Sequence, residues 1–273
     1  MTRSPLSIGV VTDEVSRSLP EALEIAQSWG LGRFELREGE AGRFPAFTRD
    51  EVAALEDARR QGGRITAVSP GIFKGSVEDE AATRAALEDT LPRTIELAHR
   101  LGCPLVIIFG FERHEGEPDA SRTWAMRAFE AAADQAHGAG MRVAIENEPD
   151  FWIDRPEPSA GMLDEIGHPA LALNWDPANL HWGGHRPTVA DLEVVLPHLA
   201  NLHVKDYAPG RPQAPWFPVG EGQTPWADLL PTVQSSSDLE HVTLETHCEP
   251  LVESSRRSLD ALRTLLDEAT VTP

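Results

Sequence analysis

The chain has 273 residues, a length typical of one α/β barrel, and its 41% hydrophobic and 25% charged residues are typical of a soluble globular protein. The formal net charge of −20 argues against a nucleic-acid partner, because such binding depends on Lys and Arg side chains that neutralise phosphates. With no apolar run long enough to span a membrane and no N-terminal leader pattern, we expect a cytoplasmic protein without a membrane partner. Cys103 and Cys248 are too few for a disulfide scaffold, and we expect them in the core.

Eight short apolar runs with strand character alternate with helical patterns along the chain. The predicted strands are residues 7–12, 33–37, 64–69, 105–109, 143–146, 171–176, 199–205 and 242–245. The predicted helices are residues 19–29, about 49–61 after a Thr48–Glu51 capping box, 78–101, 119–137, 158–166, 188–196, 225–234 and 253–268. Pro92 should kink or split the third of these helices.

Strict alternation of strand and helix predicts a parallel sheet, and eight such units in this length predict a closed (β/α)₈ TIM barrel. No linker or change of composition interrupts residues 1–273, so we predict a single domain. The alternative is a doubly wound open sheet. That fold usually has a glycine-rich phosphate loop after its first strand, which Thr12-Asp13-Glu14-Val15 does not resemble.

The last four strands all end at or near a side chain that can bind a metal ion. These residues are Glu146, Asp176, His203 and Glu245. Each one alone is commonplace at a strand end, but in a closed barrel all four would surround one cavity at the carboxyl ends of the strands. Three carboxylates cannot stay ionised together without a cation. The donor set suits Mn²⁺, Mg²⁺ or Co²⁺, and Zn²⁺ is possible.

Five short motifs carry a resemblance to a known family. They are Ala-Ile-Glu at 144–146, Asn-Trp-Asp-Pro-Ala-Asn at 174–179, His-Val-Lys-Asp at 203–206, Val-Gly-Glu-Gly at 219–222 and Leu-Glu-Thr at 244–246. Together they resemble the xylose-isomerase-like TIM-barrel superfamily of sugar isomerases and epimerases, over essentially the whole chain. The resemblance implies that the four strand-end residues are the metal ligands. It also implies that Glu146 and Glu245 act as acid and base on an enediolate of the substrate.

The same resemblance implies a small sugar or polyol-derived substrate. Candidate substrate-binding residues are Lys74, Glu148, Asn179, His181, Lys205, Asp206 and Glu221. Asn179 stands where the family often has a histidine, and His181 comes two residues later. Further candidates at the upper face are Glu35, Arg37, Arg113 and His114, with Trp152, Trp182, Trp216 and Phe217 either stacking on a sugar or packing the loops.

Other functions stay open at this point. A dehydratase of an inosose or keto sugar would use the same site and expel a hydroxyl group. An endonuclease IV-like phosphodiesterase is disfavoured by the acidic charge and by missing histidines, and a non-catalytic sugar-binding protein by the intact pair of glutamates. The absence of a phosphate-binding loop favours an unphosphorylated substrate, and a homo-oligomer is possible.

Overall fold

Eight parallel strands close into a barrel in the computed structural model, which describes residues 6–118, 120–210 and 215–271. The strands, numbered in chain order, are β1 Ser7–Val11, β2 Arg33–Leu36, β3 Arg64–Val68, β4 Leu105–Phe109, β5 Arg142–Glu146, β6 Leu171–Trp175, β7 Leu199–Val204 and β8 His241–Leu244. Each strand pairs with the next, and β8 pairs with β1 to complete the ring. The predicted (β/α)₈ barrel is confirmed, and every predicted strand boundary lies within one residue of the observed one.

Helices follow the strands and cover the outside of the ring. They are α1 Leu19–Ser28, α2 Arg49–Arg60, α3 Glu80–Ala85, α4 Leu91–Arg100, α5 Ser121–Gly138, α6 Pro156–Ile166, α7 Pro177–Trp182, α8 Val189–Val195, α9 Trp226–Ser236 and α10 Leu251–Val271. The predicted capping box of α2 is present, with Thr48 and Glu51 bonded to each other's backbone N–H groups. None of the helices in these described ranges is long and apolar enough to cross a membrane.

Three features differ from the predicted elements. The helix predicted at 78–101 is divided into α3 and α4 by a π-helical turn, Ala86–Thr90, and Pro92 lies in the first turn of α4, where its missing N–H is tolerated. The short helix α7 and two small hairpins were not predicted, because six-residue or two-residue elements carry too little periodicity. Asp119, predicted as the start of the fourth helix, lies outside the described residues.

The core has two parts, and their division determines where the site lies. The larger part fills the layer between sheet and helices, and Leu259, Leu262 and Leu266 of α10 contribute to it. A smaller cluster of buried residues is separate from it: Ala67, Leu105, Ile107, Ala144 and Ala172. Side chains alternate along a strand, so Glu146 shares its side of β5 with Ala144. Apolar residues, three of them alanines, therefore lie below the buried polar residues at the carboxyl ends of the strands.

Candidate metal centre

Four side chains from consecutive strands converge at the carboxyl end of the barrel. Glu146 is the last residue of β5, Asp176 follows β6, His203 lies in β7 and Glu245 follows β8. One ligand atom from each lies within 4.8 Å of those of the others, and all four residues are buried. The strand-end pattern in the sequence is therefore one cluster in space.

Glu35 of β2 orients the imidazole of this cluster. His203 Nε2 lies 2.9 Å from Glu35 Oε1, while Nδ1 faces Glu146 Oε1 at 3.3 Å and Glu245 Oε2 at 3.2 Å. Burial alone would lower the pKa of His203, but the surrounding carboxylates, Glu35 foremost, hold it well above its usual value. A histidine that binds a metal through one nitrogen typically donates its other N–H to a carboxylate in this way.

Asp176 is held in place by its own helix and by its neighbour strand. Its Oδ1 accepts hydrogen bonds from the backbone N–H of Ala178 (2.8 Å) and Asn179 (3.0 Å), which caps the start of α7. The Asn147 side chain bonds both the N–H and the carbonyl of Asp176, at 2.7 and 2.9 Å. These contacts leave Oδ2 as the oxygen that faces the cluster.

Two cations hold the Glu245 carboxylate from opposite ends. Lys205 Nζ lies 3.0 Å from Glu245 Oε2 and 2.8 Å from Asp176 Oδ2. Burial disfavours the charged ammonium, but the two carboxylates raise the pKa of Lys205 above its usual value. Arg37 Nη1 donates to Glu245 Oε1 at 2.7 Å, and its remaining N–H groups bind Asp13 and Glu14.

The residues of this cluster fit a divalent cation. Its donors are three carboxylates and one imidazole, which suit hard divalent ions. Asp176 Oδ2 is buried and accepts no hydrogen bond of good geometry, although the Lys205 ammonium lies beside it. A buried carboxylate oxygen that has this ion pair but no hydrogen bond, and that belongs to a cluster with three other ligand residues, is one that a bound cation would satisfy more fully.

A second group of side chains that could hold a metal ion shares Glu245 with the first. Glu14, Glu245 and His247 also bring ligand atoms within 4.8 Å of one another. Arg37 donates to both carboxylates, and His247 Nδ1 lies 2.8 Å from Glu14 Oε1. The Arg37 guanidinium therefore already lies on both carboxylates of this group.

A cavity of about 160 Å³ opens above the cluster. Its walls include Glu146, His203 and Glu245 on one side, and residues from the ends of β2, β3 and β4 on the other: Arg37, Arg43, Ser69, Lys74 and Phe109. A larger cavity of about 670 Å³ adjoins it between the loops that follow β4, β5 and β6, and Glu148 lines both. Burial and the nearby Glu146 carboxylate raise the pKa of Glu148 to about 7.

The other residues singled out in the sequence divide between the cavities and the surrounding loops. Lys74, Lys205 and Glu148 line the smaller cavity, and Asn179 lines the larger one while its amide donates to the Asn147 carbonyl at 3.0 Å. His181 packs against Tyr207, with ring centroids 4.9 Å apart.

Several predicted substrate contacts lie away from the smaller cavity or are engaged elsewhere. Asp206 is buried and binds backbone N–H groups of its own loop. Glu221 is exposed and pairs with Arg257 of α10, so the structure does not bring it to the candidate metal cluster. Arg113 pairs with Asp154, and His114 with Glu78.

The aromatic residues of the upper loops mainly pack against each other. Trp182 and Trp216 meet edge to face with centroids 5.6 Å apart, and Lys205 Nζ lies 4.7 Å from the Trp216 ring centroid. The guanidinium carbon of Arg113 lies 5.4 Å from the centroid of the Trp152 ring. Trp182 is the most exposed of them and lines the larger cavity.

Sequence reasoning missed several residues of the site. Asp13 and Glu14 follow β1 directly, so the strand-end rule that singled out Glu146 would also have found them. Asn147 was visible inside the Glu-Asn-Glu triplet as a polar residue at a strand end. Arg43 lies in a small hairpin beyond β2, and no signal in the sequence places it at the cavity.

Comparison with known proteins gives a family and a relative. The family described as "Xylose isomerase-like TIM barrel" matches residues 23–265. A 2-epi-5-epi-valiolone 7-phosphate 2-epimerase from Actinoplanes sp. is 24% identical over 224 residues, which cover 79% of this chain and 78% of the relative.

Solved structures agree with the fold at low sequence identity. An L-ribulose 3-epimerase is 14% identical with a TM-score of 0.79, covering 97% of this chain and 95% of the other. A probable 3-DHS dehydratase from Bacillus anthracis is 16% identical with a TM-score of 0.79, covering 94% and 99%.

Proposed function

This chain belongs to the xylose isomerase-like TIM barrel family, and we propose that it is a divalent-metal-dependent isomerase or epimerase of a small keto sugar or polyol-derived ketone. The observation that carries the proposal is the buried cluster of Glu146, Asp176, His203 and Glu245. It opens to a cavity that is lined mostly by charged and polar side chains. The names of the epimerase relative and of the structurally similar ribulose epimerase both specify substrates of this kind.

The chemistry needs a cation and two proton carriers. A divalent cation, when bound, would polarise the substrate carbonyl and make the neighbouring C–H bond more acidic. Glu146 and Glu245 then serve as base and acid, since they come from β5 and β8 and approach a substrate from different sides. Return of the proton to the opposite face of the same carbon gives an epimer, and return to the adjacent carbon gives an aldose or ketose isomer.

The remaining residues position these two glutamates. Arg37 and Lys205 bind one oxygen each of Glu245, whereas Glu146 has a partner in the described residues only at Oε1, which faces His203. We therefore assign the first proton abstraction to Glu146, the less constrained of the two. Glu245, held between two cations, is the weaker base and is suited to return the proton.

Hydrogen exchange in D₂O tests this function. Mn²⁺- or Mg²⁺-loaded protein is incubated with a panel of ketoses, aldoses and inososes, and products are read by NMR. We expect deuterium at carbon without loss of water. Loss of water would instead indicate a dehydratase, the second candidate, which the similarity to a probable 3-DHS dehydratase favours.

Glutamine substitutions test the two glutamates. Glu146→Gln and Glu245→Gln should each lower turnover by about a hundred- to ten-thousand-fold, the usual contribution of general acid–base catalysis. Glu221→Gln is the matched control, because Glu221 is exposed and pairs with Arg257. Full turnover of both site variants with metal bound would remove the acid–base assignment.

A further inference from the structure

We propose that the substrate carries an anionic group, a phosphate or a carboxylate, and that Arg43 and Lys74 bind it at the wall of the cavity opposite the metal cluster. This deepens the function proposed above and rests on it. It also reverses the expectation of an unphosphorylated substrate, which was based on the absence of a glycine-rich loop.

Most cations of the cavity already have carboxylate partners within the protein. Arg37 binds Asp13, Glu14 and Glu245, and Lys205 lies between Asp176 and Glu245. The positive charge of Arg37 and Lys205 is therefore already paired with carboxylates of the protein.

Arg43 and Lys74 are different. Within residues 6–118, 120–210 and 215–271, neither forms an ion pair with a carboxylate, although both line the cavity. Arg43 is held by uncharged groups only: Nε donates to the Ser69 carbonyl at 3.2 Å and Nη2 to Ser69 Oγ at 3.1 Å. These two bonds fix the plane of the guanidinium and leave further N–H groups for a ligand, since a guanidinium has five.

The two cations converge on one aromatic ring. The Lys74 ammonium lies 4.3 Å and the Arg43 guanidinium carbon 5.7 Å from the centroid of Phe109. Phe109 pairs in register with Glu146 on the neighbouring strand. Both cations therefore lie near the same layer of the barrel as the candidate metal ligand Glu146. A substrate bound at the metal cluster can therefore reach them with a group a few atoms from its carbonyl.

The energetics favour an anion at this position. Burial, with the neighbouring Arg37 charge, lowers the pKa of Arg43, and the carboxylates of Glu146, Asp13 and Glu245 only partly offset this. Leaving such a charge unpaired is unfavourable, and a bound anion removes that cost. Arg offers a planar fork and Lys a point charge, a combination that suits phosphate and carboxylate oxygens.

The acidity of the whole chain strengthens the argument that Arg43 and Lys74 bind an anion. A protein with a formal net charge of −20 repels anionic ligands at long range. Only two lysines occur in the sequence, and both Lys74 and Lys205 line this cavity. An anionic substrate would need such a local positive group to enter.

Calorimetry with inorganic phosphate tests the anion site without requiring turnover. Mg²⁺-loaded wild-type protein should bind phosphate, and Lys74→Gln and Arg43→Gln should each bind it about tenfold or more weakly, because a hydrogen bond to a charged group is lost. Arg43→Lys keeps the charge but loses the fork, and should lie between Arg43→Gln and the wild type. Arg93→Gln, an exposed arginine that pairs with Asp89, is the matched control.

The variants separate the anion site from phosphate bound directly to the metal. Phosphate on the metal would be lost in Asp176→Asn and retained in Lys74→Gln, and that result would overturn the proposal. Wild-type protein that does not bind phosphate or acetate would overturn it as well. Each variant is first compared with the wild type by circular dichroism and chemical unfolding, and Arg43→Lys keeps the test valid if Arg43→Gln does not fold.

Matched keto sugars distinguish the two kinds of anion. D-Fructose, D-fructose 6-phosphate and D-fructuronate differ only in carrying a neutral, a phosphate or a carboxylate group at the same end. We expect one of the anionic sugars to bind about tenfold or more tightly than fructose, and this preference to disappear in Lys74→Gln. Equal binding of all three would overturn the anion site, whereas preferential anion binding without any hydrogen exchange would contradict only the proposed isomerase or epimerase.

Discussion

Asp176 shows how one residue can serve both the fold and the site. Its Oδ1 caps α7 through the N–H groups of Ala178 and Asn179, and its Oδ2 faces the other ligand atoms. The Asn147 side chain holds the backbone of Asp176 through both its N–H and its carbonyl. A substitution that preserves one oxygen can therefore remove the ligand without removing the cap.

Asp176→Asn should keep the barrel folded and weaken metal binding. The asparagine Oδ1 can still accept from the helix N–H groups, while the anionic ligand is lost. Loss of an outer-shell partner typically weakens a metal site about 10- to 100-fold, and loss of a ligand should exceed that. Affinity is measured by competition with a coloured chelator. Glu148→Gln is the control, and if it weakened binding as much as Glu146→Gln, the wrong glutamate of the Glu-Asn-Glu triplet would have been chosen.

In the loop after β7, the described residues 206–210 and 215–224 are organised around one buried carboxylate. Asp206 Oδ1 accepts from the backbone N–H of Tyr207 and Thr224, both at 2.9 Å, and Oδ2 from Gly220 at 2.9 Å and Gly222 at 3.1 Å. A side chain at Gly222 would collide with this carboxylate, so the close approach requires glycine. The same loop carries Trp216, whose ring covers Lys205.

Asp206→Asn should loosen this loop. The new NH₂ group would face two backbone N–H donors and leave them unsatisfied, so the free energy of unfolding should fall by about 2 kcal/mol. Hydrogen exchange should speed up at the amides of Gly220 and Gly222 in particular. Glu221→Gln changes an exposed ion pair on the same loop and should stay within about 0.5 kcal/mol of the wild type. Unchanged exchange at both glycines in Asp206→Asn would show that the carboxylate does not hold the loop.

At the scale of the whole molecule, a bound cation should link the last four strands of the ring. Glu146, Asp176, His203 and Glu245 come from β5 to β8, and a metal that binds them only in the folded state stabilises the barrel. At a free metal concentration a hundredfold above Kd this amounts to about 2.7 kcal/mol, or roughly 5 to 10 °C in Tm. Thermal unfolding with Mn²⁺ and after exhaustive chelation measures it. Asp176→Asn should show little of this difference, and an unchanged wild-type Tm and metal content after chelation would contradict the site.

The opposite end of the barrel makes stability depend on pH. His241 opens β8 beside Arg33, Arg64 and Glu240, and its buried Nε2 has no hydrogen-bond partner in the described part of the chain. Burial, with the two arginines, lowers the pKa of His241 to about 4. The unfolded chain, with an ordinary histidine pKa, therefore takes up this proton at a higher pH than the folded protein.

The free energy of unfolding that is linked to neutral His241 is therefore fully present above about pH 6.5 and is lost as the pH falls towards 4. Between pH 7 and 4.5 the loss should be about 2 to 3 kcal/mol. The measurement is the difference between wild type and His241→Gln in urea unfolding at each pH, because other groups also titrate in this range. Parallel pH profiles of the two proteins would show that His241 does not cause the effect.

Local patterns in the sequence determined the architecture and the four candidate ligands of this protein. Each strand is a short apolar run, most of the helices bury an apolar face, and Glu146, Asp176, His203 and Glu245 stand at strand ends, so eight repeated units lead to one ring with these residues at one end. Only the tertiary structure decided which charges meet. Arg37 joins Asp13, Glu14 and Glu245, Glu221 turns outward to Arg257, and Arg43 reaches the cavity without a carboxylate partner. Such pairings depend on side-chain distances between residues far apart in the chain, and no periodicity along the sequence records those distances.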